Sequence, residues 1–65
     1  MNDEREKLEY IKNETKRLMK WEGEFMIRDY EDGDGFVVTG CDNKNAGTGA
    51  VVIIREGRVI IVNDW

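Results

Sequence analysis

Apolar positions follow two different rhythms along this chain. Up to residue 22 they recur every three or four residues. Leu8, Ile11, Leu18 and Met19, in line with Thr15 and Glu22, fall on one side of a helix as a narrow stripe. Beyond Gly23 they alternate or run together. Residue types divide at the same place: both leucines precede residue 22, and eleven of the twelve Val and Ile residues follow residue 26. All seven glycines stand at or after Gly23. Straight-chain residues favour helix and β-branched residues favour strand, so the chain reads as α followed by β.

The predicted helix spans residues 3–22. Asn2 or Asp3 can cap its start, with Glu6 as the capping-box partner of Asp3. Asp3, Glu4 and Glu6 near the start and Lys16, Arg17 and Lys20 near the end complement the helix dipole. Gly23 is the natural left-handed residue to stop it. Tyr10 and Trp21, beside Glu14 and Arg17, flank the sheet contact or form a second contact surface.

Four strands are predicted, at 24–30, 36–41, 50–55 and 58–63. Asp32-Gly33-Asp34-Gly35 supplies the first tight turn, and Glu56-Gly57 joins the last two strands. The expected fold class is α+β: a single small domain over residues 1–65, with one N-terminal helix packed on a four-stranded antiparallel β-meander.

A two-residue turn at Glu56-Gly57 fixes a register in which Arg55 faces Arg58 and Val51 faces Val62. Side chains alternate along a strand. One face of this hairpin then carries Val52, Ile54, Val59 and Ile61, and the other Val51, Ile53, Ile60 and Val62. A single helix covers one face of a sheet, and a solvated face ought to be polar. Burying each remaining aliphatic side chain is worth roughly 1.5–3 kcal/mol, so four left bare would forfeit as much as the whole stability expected of so small a domain. Val51, Ile53, Ile60 and Val62 are therefore the expected self-association residues of a homo-oligomer, with a dimer the simplest form. Its sheets would stack, or join edge to edge through the last strand, which shows no proline or bulge signal. The competing arrangement has Trp21, Trp65, Tyr10 and Met26 cover that face within one chain.

Composition sharpens this picture by exclusion. The 65 residues include no His, Ser, Pro or Gln and one Cys. The common hydrolytic dyads and triads cannot be assembled without His and Ser, and Cys41 has no His to activate its thiol. An enzyme is the least favoured class, and no cofactor is implied. Ten basic and fourteen acidic residues give −4, which argues against general nucleic-acid binding. The longest apolar run, 50–54, is too short to span a membrane. The charged first residues lack a signal-peptide core, and an unpaired Cys41 suits a reducing interior, so the expected location is cytoplasmic. Asn13-Glu14-Thr15 then matches a glycosylation sequon by chance.

Two surface segments remain as candidate sites. Residues 25–43 carry Asp29, Glu31, Asp32, Asp34 and Asp42 against Arg28 alone. Asp29, Glu31, Asp32 and Asp34 form a strip suited to a basic protein partner. Asp32-Gly33-Asp34-Gly35 begins like an EF-hand loop, but Phe36 and Val37 stand where an acid and a glycine are required, so no calcium site is expected. The 42–49 loop is the most ligand-like segment. Gly47 and Gly49 around Thr48 let backbone N–H groups converge on a small anionic ligand, with Asn43, Lys44 and Asn45 adding donors and charge. It lacks the Walker lysine spacing, and a plain connecting loop is the alternative.

The expected function is a small non-enzymatic, self-associating binding protein that sequesters a small anionic ligand or inhibits a partner. In scale and charge it is like the accessory proteins of phages and mobile elements, an analogy of size only. The alternatives are a protein–protein inhibitor using its acidic strip against a basic partner site, and a structural or designed domain without ligand.

Overall fold

The computed structural model describes residues 3–31 and 33–65. Helix α1 (Asp3–Met19) is followed by β1 (Phe25–Asp29), β2 (Phe36–Gly40), β3 (Gly49–Arg55) and β4 (Arg58–Asp64). The strands form one antiparallel sheet in the order β1-β2-β3-β4, so sequence order and spatial order coincide. The predicted α+β meander is the observed fold.

The helix ends earlier than its pattern suggested, and the reason is local. Lys20, with φ 57°, takes the left-handed position itself. The Trp21 N–H donates to Lys16 O at 2.9 Å and the Lys20 N–H to Arg17 O at 3.3 Å. These two bonds are the paired closure of a Schellman motif, normally built around Gly. Glu22 consequently lies beyond the helix, and Gly23 (φ 106°) turns the chain into β1 instead of capping α1. At the other end, Asn2, the alternative cap, lies outside the described residues.

The stripe is narrower than predicted. Ile11 and Thr15 are its fully buried members, while Leu18 is exposed. Thr15 buries its hydroxyl with the donor satisfied, because Oγ1 donates to Ile11 O at 2.8 Å. Phe25, Val38, Ala50 and Val52 complete the core from the sheet, flanked by Trp21, Ile27, Phe36, Ile54, Val59 and Ile61.

Aromatic rings at two levels fix how α1 lies. Trp21 stacks on Phe25 with ring centroids 4.5 Å apart, and Lys16 Nζ sits 5.8 Å from the Phe25 centroid. Towards the helix start, Lys7 Nζ stands 5.7 Å from the Phe36 centroid. Both ammonium groups lie in cation–π range of these rings, and Lys16 Nζ also donates to Gly23 O at 2.7 Å. The helix reaches across the sheet, touching both β1 and β4.

The last hairpin departs from the predicted register at one place. Arg55↔Arg58, Ile54↔Val59, Ile53↔Ile60 and Val52↔Ile61 pair as the turn dictates, but Val51 pairs with Asn63. Val62 is therefore the extra residue of a β-bulge. The edge of β4 does carry such a protection, contrary to the sequence expectation. A bulge bends an edge strand and interrupts its ladder, which works against edge-to-edge joining through β4. The turn itself has φ 54° at Glu56 and 75° at Gly57, both left-handed as a type I′ turn requires.

The strained cap makes a simple prediction. A left-handed conformation costs a non-glycine residue roughly 1–2 kcal/mol, part of which is offset by the greater unfolded-state freedom of glycine. Lys20→Gly is expected to stabilise the fold by up to about 1 kcal/mol, raising the thermal midpoint by several degrees. Lys20→Ala, which keeps the strain, gains nothing. Thermal melts followed by circular dichroism compare the three chains.

Candidate functional site

The uncovered face of the sheet is the most distinctive surface of the molecule. Register places its side chains in cross-strand rows. Met26, Thr39, Gly49 and Trp65 form one row, and Arg28, Val37, Val51 and Asn63 the next. Tyr30, Gly35, Ile53 and Ile60 form a third, with Arg55 and Arg58 beyond it at the turn. No acidic residue falls in these rows, whereas three arginines do.

Apolar exposure on this face is concentrated in the two outer strands and the residues that extend them. Met26 is 50% exposed, Tyr30 39%, Ile60 41%, Val62 57% and Trp65 52%. The inner strands are better covered: Val37 is buried, and Val51 and Ile53 are half-buried. Of the four aromatic and Met residues that could have shielded this face within one chain, Trp21 packs on Phe25 on the helix side, Tyr10 is exposed on α1 and Met26 is exposed in β1. Trp65 alone lies across the sheet. Its backbone pairs with Gly49 in both directions, N–H to O at 2.9 and 3.1 Å. A Cβ at Gly49 would stand only 2.7 Å from Trp65 Cζ2, so the ring rests directly on the glycine backbone.

A hollow of ≈ 430 Å³ opens on the same side, bordered by Arg28, Asp29, Tyr30, Glu31, Val37, Val51, Asn63 and Trp65. It brings together charged, aromatic and amide side chains from β1 and from the end of β4. A second hollow, ≈ 370 Å³, lies between α1 and the last turn and is bordered by Tyr10, Glu14, Arg17, Leu18, Gly57, Arg58 and Val59. Arg58 thus borders the helix-side hollow from the last turn.

The 42–49 loop proves to be a clasp. Asp42 Oδ2 accepts the Glu24 N–H at 3.0 Å and Oδ1 accepts the Asn45 N–H at 2.8 Å. Asn45 Nδ2 donates to Glu22 O at 2.8 Å and to both Asp42 carboxylate oxygens. The Thr48 N–H turns inward to Asn45 O, and Gly40 N–H donates to Thr48 O. Asn45 and the N–H of Thr48 are thereby committed to holding the loop against the connection from α1 to β1. Asn43, Lys44 and Gly47 are exposed, Thr48 is half-buried, and Gly49 lies under Trp65. Gly23 is backed against the clasp, where a Cβ would run into Asn45 Nδ2 and Asp42 Oδ2.

On the acidic strip, Asp29, Glu31 and Asp34 are exposed, and Asp32 lies outside the described residues. The ion pairs Lys12–Glu9 and Arg17–Glu14 both lie on the helix, and among the described residues none of Asp29, Glu31 and Asp34 belongs to one. Among the described residues, no cluster of three or more His, Cys, Asp or Glu side chains could hold a metal ion. Cys41 is an exposed free thiol. No helix among them is long and apolar enough to cross a membrane.

The open-face row at Met26 and Trp65 and the Asp42–Asn45 clasp were not singled out from the sequence. Trp65 was legible as a cover for the face, but its seat on Gly49 depends on the bulge at Val62. Comparison with known proteins adds no assignment: the chain matches no protein-family model, no curated protein and no solved structure.

The clasp carries a pH dependence. The Glu24 N–H, then the Asn45 N–H, hold the Asp42 carboxyl below the usual carboxylate range, with partial burial pulling the other way. A folded-state pKa that is depressed gives stability above the unfolded value, lost as pH falls through the folded one. The thermal midpoint should therefore drop on acidification below pH ~4, and Asp42→Asn should flatten part of that drop while lowering the midpoint at neutral pH. Glu14, held down by Arg17, contributes in the same direction and is left intact in that variant.

Proposed function

We propose that this chain is a small non-enzymatic binding protein that works in the cytoplasm and self-associates through the uncovered face of its sheet. The observation that carries this reading is the exposure of Met26, Ile60, Val62 and Trp65 together on one face, with half-buried Val51 and Ile53 between them. Exposed apolar side chains grouped in this way, rimmed by arginines, are the usual mark of a contact surface. Arginine and the aromatic residues are also the types that anchor interfaces. Stacking of two such faces is favoured over edge joining, because the Val62 bulge spoils the β4 edge.

The small anionic ligand expected at the 42–49 loop has less to hold it there, since the clasp absorbs Asn45 and Thr48 N–H. Lys44 remains exposed, while Arg28, Asn63, Tyr30 and Trp65 border the hollow on the open face. Capture on that face, between stacked copies, is the form of sequestration this reading favours.

A second reading keeps the acidic strip as the working surface of a protein inhibitor. It is favoured by the exposure of Asp29, Glu31 and Asp34, which form no ion pair among the described residues. The partner would then be a basic site on another protein, met by a monomer of this chain.

Sedimentation equilibrium separates the two readings. Self-association predicts a concentration-dependent dimer, and Ile60→Lys, which places a charge on the exposed row without touching the core, should weaken it at least about tenfold in Kd with an unchanged circular dichroism spectrum. A single 7.6 kDa species up to high micromolar concentration would remove the self-association reading.

A further inference from the structure

We infer that the second copy stacks face to face about a two-fold axis running along the strands, so that the acidic β1–β2 hairpin of each copy lies over the Arg55/Arg58 turn of the other. This rests on the self-association reading above and adds its geometry. In a meander of order β1-β2-β3-β4 the first and third turns lie at the same end of the sheet. That end is electrically divided. Asp29, Glu31 and Asp34 stand at the corner beside β1, and Arg55 and Arg58 at the corner beside β4, with Glu56 between the two arginines. Among the described residues, none of these five acidic and basic groups at the two corners has an ion-pair partner within its own chain.

A two-fold axis along the strands exchanges the left and right edges of the sheet and keeps its ends in place. β1 of one copy then lies over β4 of the other, and β2 over β3. Acidic corner meets basic corner twice. The rows match in polarity as well. Tyr30 falls over Ile60 of the second copy, Met26 over its Trp65, and Arg28 over its Asn63, by the pairing rows of the sheet. The inner Val37 and Val51 meet across the axis. Exposed apolar groups on the outer strands are thus covered by exposed apolar groups, and the Met26–Trp65 meeting adds a favourable sulfur–aromatic contact.

The other ways of joining two copies lose this match. An axis across the strands sets β1 over β1, so that Arg28 faces Arg28 and the acidic corner lies over the start of β1, where Glu24 stands. Edge-to-edge joining meets the bulge at Val62. Aligned packing of two twisted sheets, at about 30°, suits the axis along the strands. Four strands ~4.8 Å apart give a narrow contact, at the small end of stable interfaces. Charge pairing at the corners is then a large share of the specificity.

Charge exchange tests the arrangement by sedimentation equilibrium. Glu31→Lys with Asp34→Lys, and separately Arg55→Glu with Arg58→Glu, should each weaken self-association at least about tenfold, because each leaves like charges facing each other. The chain carrying all four substitutions should return to within a few-fold of the parent Kd, and an equimolar mixture of the two paired variants should form a heterodimer by native mass spectrometry. All four positions are exposed, and circular dichroism checks that each variant folds. Paired variants that associate as tightly as the parent, or a fourfold variant that stays weak, would overturn this geometry and leave self-association standing. A parent chain that is monomeric throughout would overturn both.

Discussion

The whole molecule answers to one constraint: a single helix has width for one face of a four-stranded sheet, and the closing hairpin is aliphatic on both. α1 spends its two fully buried residues, Ile11 and Thr15, on the side formed by Phe25, Val38, Ala50 and Val52. Nothing of comparable size remains for the other side. The cover that does exist there is piecemeal, with Val37 buried among its cross-strand neighbours, Trp65 lying on Gly49, and the outermost residues of β1 and β4 left to water. Apolar area of that kind is a standing free-energy cost in an isolated chain, and covering it lowers the free energy of any assembly that does so.

The remaining polar architecture frees that face instead of competing for it. The Asp42–Asn45 clasp ties the β2–β3 connection to residues Glu22 and Glu24, below the helix end, and uses side-chain and backbone groups that could otherwise have met a ligand. It fixes where β1 begins, and through the Cys41 N–H to Glu24 O bond it closes the first pair of strands at 2.9 Å. With the loop committed at this end, the two hairpins at the opposite end carry exposed charged side chains, among them Glu31, Asp34, Arg55 and Arg58. Local hydrogen bonding has therefore sorted the molecule into a structural end and an exposed one.

How far the chain announces this differs from feature to feature. The four strands and their order were legible because β-branched runs, turn glycines and a two-residue turn all agreed, and such agreement between local and global preference is what makes a pattern trustworthy. The helix end was misread because Gly23 is the better left-handed residue by propensity, yet the chain closes on Lys20, and the glycine is needed where Asn45 and Asp42 press against it. The bulge at Val62 leaves no signature in the alternation of apolar residues, and without the bulge the seat of Trp65 on Gly49 is not legible either. The loop was read as a concave set of donors because Asn, Gly and Thr favour such geometry; the same chemistry satisfies an Asx-type turn inward, and only the position of Glu22 and Glu24 decides between the two.

Charge separation is the last piece, and it bears on why a chain of net charge −4 should carry a face whose cross-strand rows hold arginine and no acid. Acids are concentrated on the helix and in the β1–β2 hairpin, with Glu22, Glu24, Asp42, Glu56 and Asp64 elsewhere, while the register puts Arg28 in a row of the open face and Arg55 and Arg58 at its turn end. A uniformly apolar face on so small a domain would collapse against any greasy surface it met. Arginines interspersed with Met26, Tyr30, Ile60 and Trp65 make contact costly unless the opposing surface supplies acceptors in the right places, which turns a general stickiness into a requirement for a matching partner. In the proposed pair, the acidic tip of a second copy would meet that requirement. Under that proposal, the net negative charge outside the face would make other approaches repulsive, so the distribution that favours the one pairing would discourage the rest.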